Sequence, residues 1–368
     1  MNRKFQFIIY CMFCFLFLET SLMAKQMTLR IHCWEGYSKP YTKEFIKIIN
    51  DKYDIDLDII ITNVSNPQEF WELARAKKVD LISPAHNIPR NPTRNFIESP
   101  LKVVLPINLN NIPNYKYLIN ILKKNNFVTV DGIVYGVPYT MGPYGLAYNS
   151  MKVPEPDSWN VLCDKKSKGL ITISKDYPEC NIYTAALILG APYDALYNYD
   201  QLKERVPLSA IQAKLNSMAI NAYSFWEGTA NPDEFSKLSY AATWGYAVAT
   251  VNKKGGKWKM AKPKEGTTLW VDHWLIVNTL RKDPLRKRIC EEWINYCLSP
   301  ALQVAVIRNW GVSPVVYNIK DKLTEDEIKT FNVGDHAYWE SLSLWKNQNA
   351  RTLNSYRKFW ETAIKTRK

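Results

Sequence analysis

An aspartate interrupts an apolar run that has the pattern of a buried strand. Asp272 lies in the sequence WVDHWLIVNTL, which begins at Trp270. Residues two apart on a strand share a face, so the Trp270 ring and the Asp272 carboxylate are expected on the same side. A buried carboxylate is costly unless it is paired, and an incoming ammonium group would supply that pair. A solvated position at a sheet edge and pairing with Lys264 are the alternatives.

Aromatic residues recur beside turns. The chain contains 13 Trp and 22 Tyr. Trp34 and Tyr37 come at the end of a predicted strand, and Trp244 lies in the short motif TWGYA. Rings that carry one polar atom suit a wet cleft that holds a partly apolar ligand. A purely structural place in the core is the alternative for each tryptophan.

A cysteine beside an acid raises the question of covalent chemistry. Cys180 follows Glu179, but no histidine is placed by the sequence to activate the thiol, so a non-enzyme is predicted. The four histidines are scattered and no CxxC pair occurs beyond residue 24, so neither a metal site nor a cofactor is predicted. Cys290 and Cys297, two turns apart on a predicted helix, are interpreted as small core residues.

The first part of the chain alternates strands and helices. Strands are predicted at 27–33, 55–62 and 79–83, with helices at 41–53 and 67–77 between them. This order predicts a mainly parallel sheet with helices on its faces. Ligands bind beyond the carboxyl ends of such strands, here residues 33–37 and 83–87. Further along, a strand is predicted from residue 270, a helix over 283–298 and helical structure from 335.

A segment rich in Gly and Pro predicts a crossing into a second lobe. The sequence DGIVYGVPYTMGPYGLAYN, from Asp131, consists of short strand-like pieces. Crossings near the middle of a chain act as hinges because few residues need to change φ and ψ. We expect one lobe to comprise residues 25–137 and about 270–330, and the other 138–269 and about 331–368.

The first 24 residues have the pattern of a secretory signal peptide. Arg3 and Lys4 precede an apolar run over residues 5–18, and a small-residue site ends at Ala24. The run is shorter than the roughly 20 residues that span a bilayer, so export and cleavage near Ala24 are predicted. The net charge of +13 is spread along the chain without a nucleic-acid-binding motif, which predicts solvated basic surfaces rather than nucleic-acid binding.

Five segments carry a family resemblance in their order along the chain. They are HCWEGY; VYGVPYTMGPYGLAYN; PDSWNVLCDKKSKGLITI; TWGYA with PKEGTTLWVDHW; and LSPALQVAVIRNWGVSPVVYN. Together they resemble the bacterial spermidine/putrescine-binding proteins, the periplasmic components of polyamine ABC transporters. The resemblance implies an α/β type II periplasmic binding protein fold with two lobes, a hinge and a central ligand cleft. It also implies rings that sandwich an aliphatic polycation and carboxylates that meet its ammonium groups.

The resemblance implies a set of ligand-binding residues. These residues are Trp34 and Tyr37 at the end of the first strand, Trp244 in the TWGYA motif, and Trp270 and Asp272 in the WVD motif. In the second lobe, the Asp-x-x-Glu pair of the family falls on Asp176 and Glu179. A register shifted by one residue would place Tyr177 and Cys180 there instead, and both registers stay open.

Other positions depart from the family pattern. Residues 85–87 replace a Ser-x-Tyr motif, which leaves His86 and Asn87 as further candidates. Val312 stands where the family has a tyrosine, and Gly36 replaces an acid, although the neighbouring Glu35 is a candidate. These changes affect the expected identity of the ligand more than the expected fold.

The expected function is capture of a polyamine, spermidine or putrescine, for an ABC importer. The expected partners are the small cation and a permease in the inner membrane, with the protein itself a periplasmic monomer. The alternatives are another small amine or an amino acid as ligand, and an enzyme that uses the cleft cysteine.

Overall fold

The computed structural model describes residues 25–34, 37–64, 67–123 and 125–367. The predicted signal peptide, the candidate Glu35 and Gly36 lie outside these residues. Within the described part of the chain, no helix combines the length and the apolar character needed to cross a membrane.

The strands of the described residues form two main sheets and two short hairpins. The strands are β1 Lys25–Cys33, β2 Ile55–Asn63, β3 Leu81–Ile82, β4 Arg90–Asn91, β5 Arg94–Asn95, β6 Thr129–Val130, β7 Ile133–Val134, β8 Gly136–Pro143, β9 Gly145–Asn149, β10 Ile171–Ser174, β11 Ala222–Trp226, β12 Tyr240–Thr243, β13 Trp258–Met260, β14 Thr268–Ile276 and β15 Ser343–Leu344. The first sheet has the order β15-β14-β3-β1-β2, with β8 also paired to β14. The second has the order β11-β10-β12-β9-β13. The hairpins are β4–β5 and β6–β7.

Helices cover both sheets. The α-helices are α1 Thr42–Tyr53, α2 Pro67–Arg75, α3 Asn120–Lys123, α4 Pro178–Ile188, α5 Tyr199–Arg205, α6 Leu208–Asn221, α7 Gly245–Lys253, α8 Pro284–Cys297, α9 Pro300–Ala305, α10 Glu325–Thr330, α11 His336–Ser341 and α12 Ala350–Lys365. Val306–Trp310 continues α9 as a π-helical turn. Short 3-10 turns lie at Lys39–Tyr41, Leu109–Asn111, Pro113–Tyr117, Trp159–Leu162, Lys165–Ser167, Tyr193–Tyr197, Pro232–Lys237, Asn278–Leu280 and Lys320–Lys322.

The first lobe begins with the predicted alternation of strands and helices. β1 pairs in parallel with both β2 and β3, so the predicted parallel sheet is confirmed. α1 buries Phe45 and Ile49 against this sheet. It ends at Asp54, whose left-handed φ of 51° lets its N–H bond the Asn50 carbonyl at 3.0 Å. That cap turns the chain directly into β2 at Ile55.

The second lobe has its own core. α4 is buried on nearly every side, from Cys180 to Leu187. The C-terminal α12 packs on this core with Tyr356 and Trp360. Apolar residues from residue 144 to residue 261 fill the remainder, which makes the second lobe a separate packing unit.

The chain passes between the lobes three times. β8 pairs with β14 through Pro143, and Tyr144 already lies in the second core. The predicted boundary at 137/138 therefore lies inside β8. The chain returns before β14, and it crosses again after β15 on its way to α12.

The last stretch of the first lobe extends further than the predicted boundary at about 331. Val333 and Trp339 pack in the first core, and β15 pairs with β14. The C-terminal part of the second lobe thus starts after Leu344. The apolar pattern of a helix identifies a buried face but does not specify which of two cores receives it.

Candidate functional site

Asp272 lies in the middle of β14 and is only 4% exposed. Thr140 of β8 is its partner on one side, and Ala85 bridges to it on the other. A bulge between Asp272 and His273 shifts the register against β8. The alternative that this aspartate is a solvated edge carboxylate is therefore wrong.

Two side chains of the first lobe hold the Asp272 carboxyl. Tyr37 donates its hydroxyl hydrogen to Oδ2 at 3.0 Å, and the Trp34 side chain lies near the same carboxyl. Burial raises the pKa of Asp272 to about 8, and the polar groups of Tyr37 and Trp34 oppose that rise only in part. Lys264 pairs with Asp157 at 3.7 Å instead. Among the described residues, no lysine or arginine forms an ion pair with Asp272, so an external cation would be the partner of its ionised form.

Aromatic rings of the first lobe surround this carboxyl. The Tyr37 ring lies 5.2 Å from Tyr139, edge to face, and 4.9 Å from Trp310. Trp310 forms a small apolar cluster with Trp270, Val306 and Val312. Rings this close to the carboxyl can cover the methylene groups of a ligand whose ammonium pairs with Asp272.

The Trp270 ring is seated by a glycine on the neighbouring strand. Gly142 is the partner of Trp270 in the β8–β14 pair. A Cβ atom at position 142 would lie 2.8 Å from Trp270 Cζ2, which is too close for an ordinary contact. Gly142 therefore allows the indole to lie over β8.

The second lobe contributes a facing wall centred on Trp244. Its ring centre lies 5.1 Å from that of Tyr144, 5.3 Å from that of Tyr177 and 6.3 Å from that of Trp270. Trp244 Nε1 donates to the Gly228 carbonyl at 2.9 Å, which fixes the indole. The structure thus brings the predicted Trp34, Tyr37, Trp244, Trp270 and Asp272 together where the lobes meet.

Asp176 is engaged within its own lobe. Its side chain is exposed, and its two carboxylate oxygens accept hydrogen bonds from Ser174 Oγ at 3.0 Å and from Gly228 N at 2.7 Å. These bonds tie the end of β10 to the loop after β11. In this arrangement Asp176 positions a loop of the second-lobe wall instead of presenting a free carboxylate.

Glu179 and Tyr177 flank the start of α4. Glu179 is half-buried, and burial raises its pKa to about 7, with Asp176 raising it further and Arg357 lowering it. Tyr177 packs edge-on against Trp244. Burial raises the pKa of Tyr177, and the charges of Asp176, Glu179 and Asp272 add to that rise. Tyr177 of the second lobe therefore lies near the Asp272 carboxyl of the first lobe. The register shifted by one residue assigns Tyr177 to this place.

His86 connects strands and lobes through its ring. The Val271 N–H donates to His86 Nδ1 at 3.2 Å, so the other nitrogen, Nε2, donates to the Trp345 carbonyl at 2.8 Å. Burial lowers the pKa of His86 to about 4, which keeps the ring neutral. Both nitrogens are occupied by main chain, so His86 positions β14 instead of contacting a ligand. The neighbouring Asn87 has a buried Oδ1 with no partner among the described residues.

Two glycines bring the lobes into direct main-chain contact. A Cβ atom at Gly245, the first residue of α7, would lie 1.7 Å from the carbonyl oxygen of Gly311. Gly311 has a φ of 60° and follows Trp310. Beside this contact, Lys253 Nζ lies 3.4 Å from the Asn309 carbonyl oxygen. Glycine at both positions permits this approach.

Three residues around the carboxyl are not indicated by the sequence analysis. They are Trp310, Tyr139 and Thr140. Trp310 could have been identified from the sequence, because a glycine follows it directly in NWG, as one follows Trp244 in TWG. Tyr139 and Thr140 lie in the strand-like GVPYTMG, where the bulge opposite Asp272 decides which side chains reach the carboxyl. A bulge leaves no local sequence pattern here.

The cysteines of the described chain are free and mostly buried. Cys290 and Cys297 lie in the first core, as predicted, and Cys180 is fully buried in α4. Burial raises the pKa of the Cys180 thiol well above its usual value. Within the described ranges, no group of three or more His, Cys, Asp or Glu residues is arranged to hold a metal ion.

We expect Cys180 to react slowly with iodoacetamide at neutral pH, because the neutral thiol is a poor nucleophile and the atom is buried. Peptide mapping after timed alkylation, native and in urea, would measure this. Cys163, which is half-buried, serves as the internal reference. Alkylation of native Cys180 faster than that of unfolded Cys180 would favour an activated thiol.

Comparison with known proteins agrees with the architecture. The family model of bacterial extracellular solute-binding proteins matches residues 77–342. The spermidine/putrescine ABC transporter substrate-binding protein PotD of Streptococcus pneumoniae is 17% identical with a TM-score of 0.73, over 93% of this chain and 100% of that chain. A putative spermidine/putrescine ABC transporter protein of Listeria monocytogenes is 20% identical with a TM-score of 0.69, over 91% and 98%. A GABA receptor is 16% identical with a TM-score of 0.67, over 92% and 98%.

At these identities the solved structures support the two-lobed α/β fold, and the family model covers most of the chain. The fold, the aromatic junction between the lobes and the matched range lead to one conclusion. The chain belongs to the bacterial extracellular solute-binding proteins, the ligand-capturing components of ABC transporters.

Proposed function

We propose that this protein captures an aliphatic amine of the polyamine class outside the cytoplasmic membrane and delivers it to an ABC permease. The observation that carries the proposal is the buried Asp272 carboxyl, which lies among aromatic rings and has no lysine or arginine partner among the described residues. A buried carboxylate needs a countercharge, and an ammonium group provides one.

The rings suit the remainder of such a ligand. Methylene groups gain by leaving water for the flat faces of Trp270 and Trp310, and a cation gains from a π face. Trp244 and Tyr177 close the same space from the second lobe. The spermidine/putrescine transporter proteins among the structural neighbours support the same ligand class.

The proposed location is the periplasm, with cleavage near Ala24 releasing the mature protein from its signal peptide. Without residues 1–24, which contain Arg3, Lys4 and Glu19, the net charge is +12 and opposes a cation at long range. Salt screens that repulsion beyond roughly 8–10 Å, so the local carboxyl decides binding once the ligand is close. Capture is therefore expected to speed up as ionic strength rises from very low values.

The test is calorimetric titration of the purified protein with putrescine, spermidine, cadaverine, arginine and leucine. We expect one-to-one binding of at least one of the aliphatic amines and no heat with leucine. Leucine is the matched control because its ammonium lies beside a carboxylate that repels Asp272. Absence of binding of every amine would contradict the proposal and would indicate a ligand of another chemical class.

A further inference from the structure

We propose that the ligand carries a neutral hydrogen-bond acceptor, an amide carbonyl or a hydroxyl, beside the ammonium group that pairs with Asp272. A mono-acylated diamine and an amino alcohol have this chemistry, whereas a simple diamine does not. The proposal rests on the amine-binding function proposed above and narrows the class of amine.

The donor for this acceptor is the indole N–H of Trp270. Trp270 is 7% exposed, and its Nε1 is buried without a hydrogen-bond partner among the described residues. A buried polar group without a partner is costly, and native structures contain few of them. An indole N–H can only donate, and an ammonium group also can only donate. A fully protonated diamine therefore cannot pair with this group.

The indole is placed next to the carboxyl. Trp270 and Asp272 lie on the same face of β14, so they are about 7 Å apart along the strand. Gly142 leaves the space in which the Trp270 ring lies. One small ligand can thus reach Asp272 with its cation and Trp270 with a group a few bonds away.

A second unpaired group lies on the other side of the carboxyl. Thr140 faces Asp272 directly across the β8–β14 pair, is fully buried, and its Oγ1 has no partner among the described residues. A hydroxyl can donate or accept, so Thr140 fits either the acceptor or the ammonium of the ligand. The carboxyl is accordingly flanked by two polar groups that an alkyl chain would leave unpaired.

We expect the acceptor to be neutral because the described residues of the cluster that packs around Trp270 are all uncharged. The cluster around Trp270 consists of Tyr37, Tyr41, Trp244, Val306, Trp310, Val312 and Trp345. A ligand carboxylate buried there would lack a countercharge, which is far more costly than burying a carbonyl.

The experiment compares four ligands of one scaffold by calorimetry: n-butylamine, 1,4-diaminobutane, 4-amino-1-butanol and N-acetyl-1,4-diaminobutane. We expect the amino alcohol or the acetylated amine to bind about tenfold more tightly than the diamine, the worth of one good neutral hydrogen bond. In Trp270→Phe, which keeps a ring but removes the N–H, that preference should fall to about twofold or less. Thr140→Val gives a second variant of nearly unchanged shape.

Trp274→Phe is the matched control. Trp274 lies on the same strand, and its Nε1 likewise has no hydrogen-bond partner among the described residues, but its ring is packed in the first core. Its replacement should leave the ligand preference unchanged. A wild-type preference for the diamine, or a preference that survives both Trp270→Phe and Thr140→Val, would overturn this inference and leave amine binding intact. Absence of binding by all four ligands would overturn both proposals.

Discussion

Replacing Asp272 by Asn is expected to weaken amine binding by about 1.5 to 3 kcal/mol, the worth of a hydrogen bond to a charged group. Asparagine keeps the shape and can still accept from Tyr37, but it cannot neutralise an ammonium. The affinity should therefore fall by roughly ten- to more than a hundredfold. Calorimetry of the variant at pH 8 measures the loss.

The same substitution is expected to change how stability depends on pH. The pKa of Asp272 is about 8 in the folded protein, against 3.8 for an aspartate that is free in water, as in the unfolded chain. The folded state thus holds a proton that the unfolded state releases, so this contribution to stability is complete below pH 3.8 and is lost as pH rises to 8. The unliganded wild type should lose stability over this range relative to Asp272→Asn.

Neighbouring groups do not mask this effect. Burial raises the pKa of the tyrosines and the thiol in this part of the molecule and lowers the pKa of its imidazoles; these groups are Tyr37, Tyr139, Tyr177, Cys33, His86 and His273. In the folded protein they keep their charge state between about pH 5 and 8, because their shifts move them away from that range. In the unfolded chain the two imidazoles titrate near 6.5, but they do so in wild type and variant alike. Glu179, with a pKa of about 7, titrates in both proteins, so the difference between wild type and variant isolates Asp272.

Pairing with an ammonium requires the ionised carboxylate. Wild-type affinity for an amine should therefore rise with pH up to about 8, with release of a proton, and the affinity of Asp272→Asn should stay flat. Titrations in two buffers of different ionisation enthalpy count the proton. Asp157→Asn is the control, because that largely exposed acid pairs with Lys264 instead. Equal affinity of wild type and Asp272→Asn would make Asp272 a structural residue.

Gly245→Ala is expected to lower the affinity for the ligand by at least about tenfold, because the added methyl group destabilises the contact between the lobes. Its Cβ would overlap the Gly311 carbonyl oxygen, at 1.7 Å, and a separation of α7 from residues 306–312 would relieve that overlap. The second lobe itself should not be weakened, since alanine favours a helix more than glycine does.

Calorimetry and small-angle scattering of Gly245→Ala would test this expectation. We expect weaker binding and a larger radius of gyration in the presence of ligand. Tyr246→Ala, at the next and 42% exposed position of α7, is the control and should bind normally. Unchanged affinity and radius for Gly245→Ala would mean that the glycine contact plays no part in holding the ligand-bound form.

Local patterns are sufficient to predict the framework. β1, β2 and β14 are continuous apolar or alternating runs, and α1 has helical spacing, so each appears at its predicted place. Asp272 is found from the sequence because a charge inside an apolar strand demands a partner. The aromatic rings around it could also be predicted from the sequence, because each ring lies beside a turn or at a strand end.

The remaining features depend on contacts between distant segments. Asp176 has the expected spacing to Glu179, yet the main chain of Gly228 takes one of its oxygens. His86 has the position of a cleft residue, yet Val271 and Trp345 occupy its ring nitrogens. The segment around Trp339 joins the first core instead of the second. In each case a partner distant in the sequence decides the role.

The ring of tryptophans around Asp272 has an optical consequence. Trp34, Trp244, Trp270, Trp310 and Trp345 all lie close to the place where a neutral acid would become half of an ion pair. Indole emission depends on the field and the polarity beside the ring. Ligand binding is therefore expected to shift the emission wavelength of the intrinsic tryptophan fluorescence, and the rate of binding can be measured on the unlabelled protein.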